Sequence, residues 1–470
     1  MIIYPIILSG GSGSRLWPLS TKGSPKQYHS LYGNNSMFQE TIIRSMLIPN
    51  AAPPTIVCNE IHRFLVKEQL NEINVKKYDI LLEQQGKNTA LAITTAILHI
   101  KKKTENAIVL VLPADHFIED KNSFSEDVLS AVQYAAADKF VTFGIAPEEI
   151  NKNYGYIKKG KEIESFFYVE KFIEKPSLSL AEKFFEEGGY LWNSGIFLFS
   201  IKRYLSEIRL HKLIFEQAIS AINDASNDLN FWRLPDYKNI NGNDVSKLSI
   251  DYLLLENTKN ILVRPLKSLW SDLGTWKSIS NLPLINNKIN KSEYDSLYSL
   301  DSRDCFVSSK KIVATIGVEN LVIVDTSDAL LIANKDKTDL VSEIQKNTTN
   351  DIKLNIEGQR TYRPWGWFEV IYSDSTYKVK KLHIFPKSRL SLQSHKQRAE
   401  NWTIVSGVAQ VTKNDKTFQL NEGESIFIPK GSKHSIENKT QKYIDIIEVQ
   451  TGSYLEEDDI VRYEDLYGRV

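Results

Sequence analysis

A short apolar segment that runs straight into glycines constrains this chain more than anything else in it. Ile2, Ile3, Ile6, Ile7 and Leu8 form the run, Gly10, Gly11 and Gly13 end it, and Arg15 and Lys26 follow. The pattern predicts a buried strand that turns sharply at its carboxyl end. Glycine backbone presents bare N–H groups to an anion, and Arg15 and Lys26 bring mobile positive charge to phosphate oxygens. Ser9, Gly10, Gly11, Gly13, Arg15 and Lys26 are therefore the candidate nucleotide-binding set, and a nucleoside triphosphate is the predicted ligand. The spacing fits neither G-x-x-x-x-G-K-[ST] nor G-x-G-x-x-G, so on the glycines alone an ordinary turn after a first strand stays open.

Helical spacing over residues 36–45 follows the loop, then strand, helix, strand and helix signals at 55–58, 62–70, 80–83 and 88–99. Gly86 turns the chain between the last two, so a second backbone loop faces the first, with Asn88 or Thr89 as the helix cap. Residues 107–112 are a continuous apolar run of the central parallel-strand kind, ending at Asp115. Open α/β sheets bind ligands at that end of a strand, which makes Asp115 a candidate ligand for Mg²⁺; the alternative is an N-cap for the helix beginning near Asn122. His116 reads as structural. Pro176 ends a strand just after Lys175 and places that ammonium at an edge, and Asn193, inside the strand 192–199, offers a donor and an acceptor to sugar hydroxyls. Asp272, between Trp270 and Trp276 and beside Gly274, is costly to desolvate without a cation, and with Asp115 it would bracket one Mg²⁺; an Asp-x-Gly turn is the alternative. No catalytic role attaches to residues 249–252.

Short β-type segments recur from about 298 to 333, as in a β-coil, and a polar stretch near Gln359 marks a boundary. Strand signals at 378–384, 390–393, 402–407, 409–412, 425–429 and 443–449 suggest a β-barrel of jelly-roll type. A chain of 470 residues exceeds one core, so two or three domains are expected. Lys+Arg and Asp+Glu are both 58 and no long basic block occurs, which argues against nucleic acid or a membrane as partner. Cys58 and Cys305 form no C-x-x-C, and with no membrane-length apolar run or leader-like start the expected setting is the cytoplasm.

GGSGSRLWPLS followed by PKQ resembles the signature of sugar-nucleotide pyrophosphorylases, specifically bacterial mannose-1-phosphate guanylyltransferases. Similar motifs recur in order at CNEIHRF (58–64), LPADHFI (112–118), FIEKP (172–176), WNSGIFLF (192–199), WSDLGTW (270–276) and YRPWGWFEVI (362–371). The carboxyl-terminal end resembles the cupin domain of type II phosphomannose isomerases, with Gly423, Pro429, Gly431, His434 and Asn438 at the spacing of the second cupin motif. The resemblance implies an α/β fold: a Rossmann-like nucleotidyltransferase domain with a mixed, mostly parallel sheet (1–290), a short β-helix-like linker (291–358) and a cupin, or double-stranded β-helix, barrel (359–470).

It further implies that GTP and α-D-mannose 1-phosphate give GDP-mannose and pyrophosphate for surface polysaccharide or lipopolysaccharide biosynthesis, in a homodimer. Glu83 and Gly86 fall in the base-contacting region, Gly155 opens the sugar-binding half, and Glu174 and Lys175 hold the sugar 1-phosphate. Arg15, Lys26 and Lys175 are the expected catalytic charges. Gln84, Lys87, Leu91 and Asn153 depart from the family pattern. In the cupin, Gln393, His395, Glu400 and His434 would suit Zn²⁺ or a similar ion, while Gln397 and Asn401 stand where the first cupin motif carries His. An isomerase that also interconverts mannose 6-phosphate and fructose 6-phosphate, and a nucleotide-sugar sensor without catalysis, are the alternatives.

Overall fold

The computed structural model describes the chain except Ser12, Lys87, residues 236–248, Lys259, residues 283–296, residues 352–357, Gln359 and residues 465–470, with only the backbone described at Asn88 and residues 347–351. Contacts divide the chain into two compact units. One comprises residues 1–307, 312–322 and 333–342, the other residues 308–311, 323–332 and 343–470. The division runs through the short strands between Leu297 and Asn334. The boundaries expected at 290/291 and 358/359 fall on or beside residues outside the described set.

In the first unit an 11-stranded mixed sheet forms the frame. The opening apolar run is the strand Ile3–Ser9, which pairs in parallel with Thr55–Asn59 on one side and Ile108–Pro113 on the other. Thr55–Asn59 pairs in parallel with Asp79–Glu83. These strands are buried on both faces, which is why their sequences are apolar runs rather than alternations. Their carboxyl ends lie side by side and deliver the glycine loop, Asn59, Glu83 and Asp115 to one edge of the sheet.

Beyond Ile108–Pro113 the pairing changes sense. The long strand Tyr190–Ser200 runs antiparallel to both Ile108–Pro113 and Phe140–Ile145. The hairpin of Tyr156–Ile163 and Phe166–Ile173 completes this half, bringing Gly155 and Glu174 to the same edge. Helix Met37–Met46 is closed by a capping box between Ser36 and Gln39, and Asn88–Lys101 packs its apolar length into the main core. Helix Lys121–Ala136 is capped by Asp120, whose Oδ1 accepts from the backbone N–H groups of Asn122 and Ser123. That leaves the Asp115 carboxylate free of the capping role held open for it. Among the described residues no helix is long and apolar enough to cross a membrane.

The second unit contains a barrel of two antiparallel sheets. One has six strands in the order Arg360–Arg363, Gly366–Ser373, Tyr377–Ile384, Ile444–Gly452, Arg398–Ser406 and Ser425–Ile428. The other has five, ordered Lys416–Leu420, Ala409–Lys413, His434–Glu437, Gln393–His395 and Ile460–Arg462. Trp402, Ile404, Ile436, Ile444 and Ile446 fill the space between them. The continuous strand is Gln393–His395, at the end of the expected 390–393; ahead of it Arg389 makes an isolated bridge to Glu437 and the Leu390 N–H donates to the Ile436 carbonyl at 2.9 Å.

Candidate functional site

A cavity of about 760 Å³ opens at the carboxyl edge of the sheet in the first unit. Ser9, Gly10, Gly11, Glu83 and Gly86 line one wall, and Gly155, Glu174, Lys175 and Asn193 line the other. Asp115 and Asp272 lie along the same cavity.

The glycine loop is shaped from below. Gln27 donates from Nε2 to the carbonyls of Ser9 and Gly10, at 3.4 and 3.2 Å, which fixes the point where strand becomes loop. The Ser9 hydroxyl donates to the Tyr28 hydroxyl at 2.8 Å, so its side chain serves the loop and its backbone faces the cavity. Gly13 has φ +59°, and a Cβ there would sit 2.5 Å from Ser20 Oγ and 3.0 Å from Lys26 Cβ. Glycine is required at that position.

Lys26 is buried and bridges the two aspartate segments. Its Nζ lies 2.9 Å from Asp115 Oδ2 and donates to the backbone carbonyl of Asp272 at 2.7 Å. Burial would raise the Asp115 carboxyl, but the Lys26 ammonium and His116 outweigh it and hold the group below the ordinary carboxylate range. Burial pushes His116 down to about 4, so the ring is neutral. Its Nδ1 accepts from the Trp270 indole N–H at 3.3 Å, which places the ring proton on Nε2 and suits a structural His rather than a base. Asp272 Oδ1 accepts from the Tyr154 hydroxyl at 2.8 Å and from Gly274 N–H at 3.1 Å. The Asp-x-Gly turn is thus present, and the same carboxylate also faces the cavity. Asp115 keeps Oδ1, and Asp272 keeps Oδ2, outside the Lys26 and turn contacts. Asp115 Oδ1 faces His116 Nε2 at 3.8 Å, and the pair of carboxylates at one cavity suits a hard divalent cation.

Arg15 lies elsewhere. Its side chain lines a second cavity of about 470 Å³, which shares Asn153, Tyr154, Trp270 and Asp272 with the first. Arg15 does not line the cavity that Lys175 lines. Asn153 is absent from the positions with left-handed backbone, so the loop accommodates a side chain where the family pattern has Gly.

At the opposite end, Glu174 is packed directly over Gly155, where a Cβ would meet its Oε2 at 2.5 Å. Burial first, then the nearby Asp251 charge, pushes Glu174 up to about 7. Lys175 has φ +44°, an uncommon conformation for a non-glycine residue, and its Nζ is 3.4 Å from Glu174 Oε1. The Asn193 carbonyl accepts from Thr142 Oγ1 and Gly195 N–H, both at 3.2 Å, and its Nδ2 donates to Asp251 Oδ1 at 2.9 Å. Asn193 therefore has no free acceptor for a sugar hydroxyl, unlike the donor-and-acceptor role expected of it. Asp251 and Tyr154 are site residues the sequence reading missed. The signal available for Asp251 was an acidic residue in an otherwise apolar stretch, SIDYLLL.

In the second unit, His395, Glu400 and His434 come together with ligand atoms all within 4.8 Å. His395 Nε2 lies 3.1 Å from Glu400 Oε1, and His434 Nε2 lies 3.5 Å from Glu400 Oε2. His434 Nδ1 donates to the Ser432 carbonyl at 2.9 Å, and its buried Nε2 has no hydrogen-bond partner among the described residues. An orphaned imidazole nitrogen aimed at a carboxylate is the donor arrangement of a divalent-metal site. Gln393 lines the small cavity beside Glu400. Burial acts to raise Glu400, but His395, His434 and Arg398 hold it down, whereas burial and the Glu400 charge push the neighbouring Glu448 up. Gln397 and Asn401, the positions where the family pattern has His, are exposed, while Glu400 and Trp402, which flank Asn401 on its strand, are buried. Their substitution leaves the His395, Glu400, His434 cluster intact.

The nucleotidyl transferase family profile matches residues 4–287, the mannose-phosphate isomerase/GMP-like β-helix profile residues 296–347, and the mannose-6-phosphate isomerase carboxyl-terminal profile residues 350–465. Mannose-1-phosphate guanylyltransferase of Salmonella montevideo is 40% identical over 481 aligned residues, covering 100% of both chains. The alginate biosynthesis protein AlgA of Pseudomonas aeruginosa is 40% identical, covering 99% of this chain and 97% of that protein. A crystal structure from Thermus thermophilus, described as a mannose-1-phosphate geranyltransferase, aligns with TM-score 0.63 and 27% identity, over 74% of this chain and 100% of that one.

Proposed function

This chain belongs to the mannose-1-phosphate guanylyltransferase family, and we propose that it makes GDP-mannose and pyrophosphate from GTP and α-D-mannose 1-phosphate for polysaccharide biosynthesis. The observation that carries the reading is the single cavity in which a glycine loop and a Glu174, Lys175, Asn193 cluster face one another along a pair of aspartates. One wall suits a nucleotide and the other a phosphorylated polyol.

An oxygen of the sugar phosphate attacks the α-phosphorus of GTP, a new P–O bond forms, and the bond to the β-phosphate oxygen breaks to release pyrophosphate. No protein nucleophile is needed, so the chain contributes position and charge. Lys175 holds the attacking phosphate. The backbone N–H groups of Gly10, Gly11 and Gly13 cradle the triphosphate, with Lys26 as the cation beside the aspartates that serves the departing β- and γ-phosphates, and with Arg15 reaching them from the adjoining cavity that shares Asn153, Tyr154 and Asp272. Glu83 and Gly86 border the base, and Gly155 and Glu174 the sugar. Asp115 and Asp272 would hold Mg²⁺, which when bound would supply positive charge to offset that of the phosphates. Lys26 keeps Asp115 ionised for that purpose. Buried, unpaired Cys58 and Cys305 support a cytoplasmic setting. Incubating the chain with mannose 1-phosphate and each of GTP, ATP, UTP and dTTP tests the base. GDP-mannose as the dominant product is expected, and a dominant uridylyl or thymidylyl product would sink the assignment.

The intact His395, Glu400, His434 cluster favours a second reading, an isomerase in the cupin. Those residues would hold Zn²⁺ or a similar ion, with Gln393 beside them, and the ion's chemistry there would be polarisation of a sugar carbonyl. Conversion of mannose 6-phosphate to fructose 6-phosphate by the metal-loaded full chain is the test, and none above background would leave the cupin a structural role.

A further inference from the structure

The sugar end of the cavity contains a carboxylate that the proposed reaction leaves without a task. Asp251 opens a π-helical turn, Asp251–Leu255, a geometry rare in proteins and recurrent at functional sites. That turn is tied to both walls of the cavity. The backbone N–H of Ile250 donates to Thr89 Oγ1 at 3.1 Å, at the start of the helix behind the base loop. Glu256, at the far end, accepts the backbone N–H of Glu174 at 3.2 Å. Asp251 is thereby set into the cavity wall beside Asn193 and Glu174.

Hydrogen bonding divides the work among these groups. The Asn193 amide is locked, its oxygen facing Thr142 and Gly195 and its nitrogen facing Asp251, so only its second N–H can reach a ligand. Acceptors for a ligand at this end must come from Asp251 and Glu174. Lys175 is the cation beside them, but it pairs with Glu174 at 3.4 Å and is 62% exposed at its side chain. Burial holds the Asp251 carboxyl above its ordinary range, and the hydrogen bonds from its own backbone N–H, Asn193 and Ser249 offset this only in part. Two carboxyl groups lining the cavity around a fixed amide are matched by a ligand rich in O–H groups rather than by a second anion.

We propose that Asp251 is a specificity-determining residue of the sugar subsite, its carboxylate accepting hydroxyl hydrogen bonds from a hexose ring while fixing the Asn193 amide beside it. The inference rests on the sugar-phosphate reading of this cavity and adds the residue that reads the ring. Sites built to hydrogen-bond a hydroxyl discriminate far more sharply than apolar pockets, since a mismatched ligand leaves buried polar groups unpaired.

The test uses the full chain with Mg²⁺, as wild type, Asp251→Asn and Asp251→Ser. Calorimetry measures binding of mannose 1-phosphate, glucose 1-phosphate and inorganic phosphate, and steady-state assays give KM for GTP. Asp251→Asn retains an oxygen for Asn193 but replaces the second acceptor with a donor. Mannose 1-phosphate affinity should fall at least about tenfold, with inorganic phosphate binding and GTP KM changing less than about twofold. The preference for mannose over glucose 1-phosphate should narrow. Unchanged mannose 1-phosphate affinity would overturn the inference, as would an equal loss of inorganic phosphate binding. Loss of the folded circular-dichroism signal in both variants would also overturn it, making Asp251 a structural residue. A wild-type chain that binds the sugar phosphate in this Asp251-dependent way but releases no pyrophosphate would overturn the proposed reaction and leave the inference standing.

Discussion

Lys26 places one ammonium between two acidic segments. Removing it would leave the Asp115 carboxylate without its cation, and the loop between Pro25 and Tyr28 would lose its link to Asp272. Lys26→Ala and Asp115→Ala should each lower turnover by about a hundredfold or more, the roughly 3 kcal/mol typical of a lost charge-assisted contact in the transition state. Turnover within about threefold of wild type in either variant would remove that residue from the mechanism. Glu174 makes a pH-dependent prediction. Its folded value of about 7 lies above the ordinary 4.5, so its contribution to stability is full below the ordinary value and is lost as pH rises through about 7. Glu174→Gln should therefore gain thermal stability relative to wild type at pH 8 compared with pH 5. A difference in Tm that is flat across that range would contradict the buried, donor-poor carboxyl described here. At this scale the residue types that carry charge were legible in the sequence, because glycines, Asp115, Lys175 and Asp272 sit beside recognisable strand ends. The hydrogen bonds that lock Asn193 were not, since Thr142 and Asp251 come from segments distant in sequence.

Among the elements, the parallel strands announced themselves as uninterrupted apolar runs, and their common edge followed from where those runs stop. The antiparallel strand Tyr190–Ser200 gave no such sign of its direction, because burial on both faces removes the alternation that would distinguish it. Asp120, not Asp115, caps the helix Lys121–Ala136, as its place immediately before the first helical residue dictates. The far side of that helix is pinned by a buried ion pair. Asp127 Oδ1 accepts from Arg264 Nε and Nη2 at 3.0 and 2.9 Å, and Arg264 Nη1 donates to the Ser165 carbonyl at 2.9 Å. Asp127→Ala leaves a buried guanidinium unpaired and should cost about 3–5 kcal/mol, seen as a lowered Tm with KM values for both substrates unchanged. The hairpin approach of Gly155 to Glu174 predicts the opposite signature. Gly155→Ala should raise KM for mannose 1-phosphate and spare that for GTP, because the added Cβ falls 2.5 Å from Glu174 Oε2. Equal rises in both would show that the damage spreads beyond the sugar wall.

Over the whole molecule, a transferase-like unit and a cupin-like unit each contain a site with its own chemistry, one an aspartate pair beside a lysine and the other a His, Glu, His cluster. The cupin cluster was legible from Gln393, His395, Glu400 and His434, but its integrity was not. A sequence shows that Gln397 and Asn401 differ from a pattern and does not show which way they face. Asn401 turns outward by strand alternation between Glu400 and Trp402, and Gln397 stands exposed just before that strand begins. His395→Ala should abolish divalent-metal binding by the cupin, measured by elemental analysis, while GDP-mannose synthesis continues. The residues proposed for nucleotidyl transfer all lie in the first unit. The most direct test of that transfer is pyrophosphate release by the full chain with Mg²⁺ and GTP, comparing mannose 1-phosphate with glucose 1-phosphate. Rapid release with mannose 1-phosphate and little with glucose 1-phosphate is the predicted result. No release with either sugar, or a preference for glucose 1-phosphate, would contradict it.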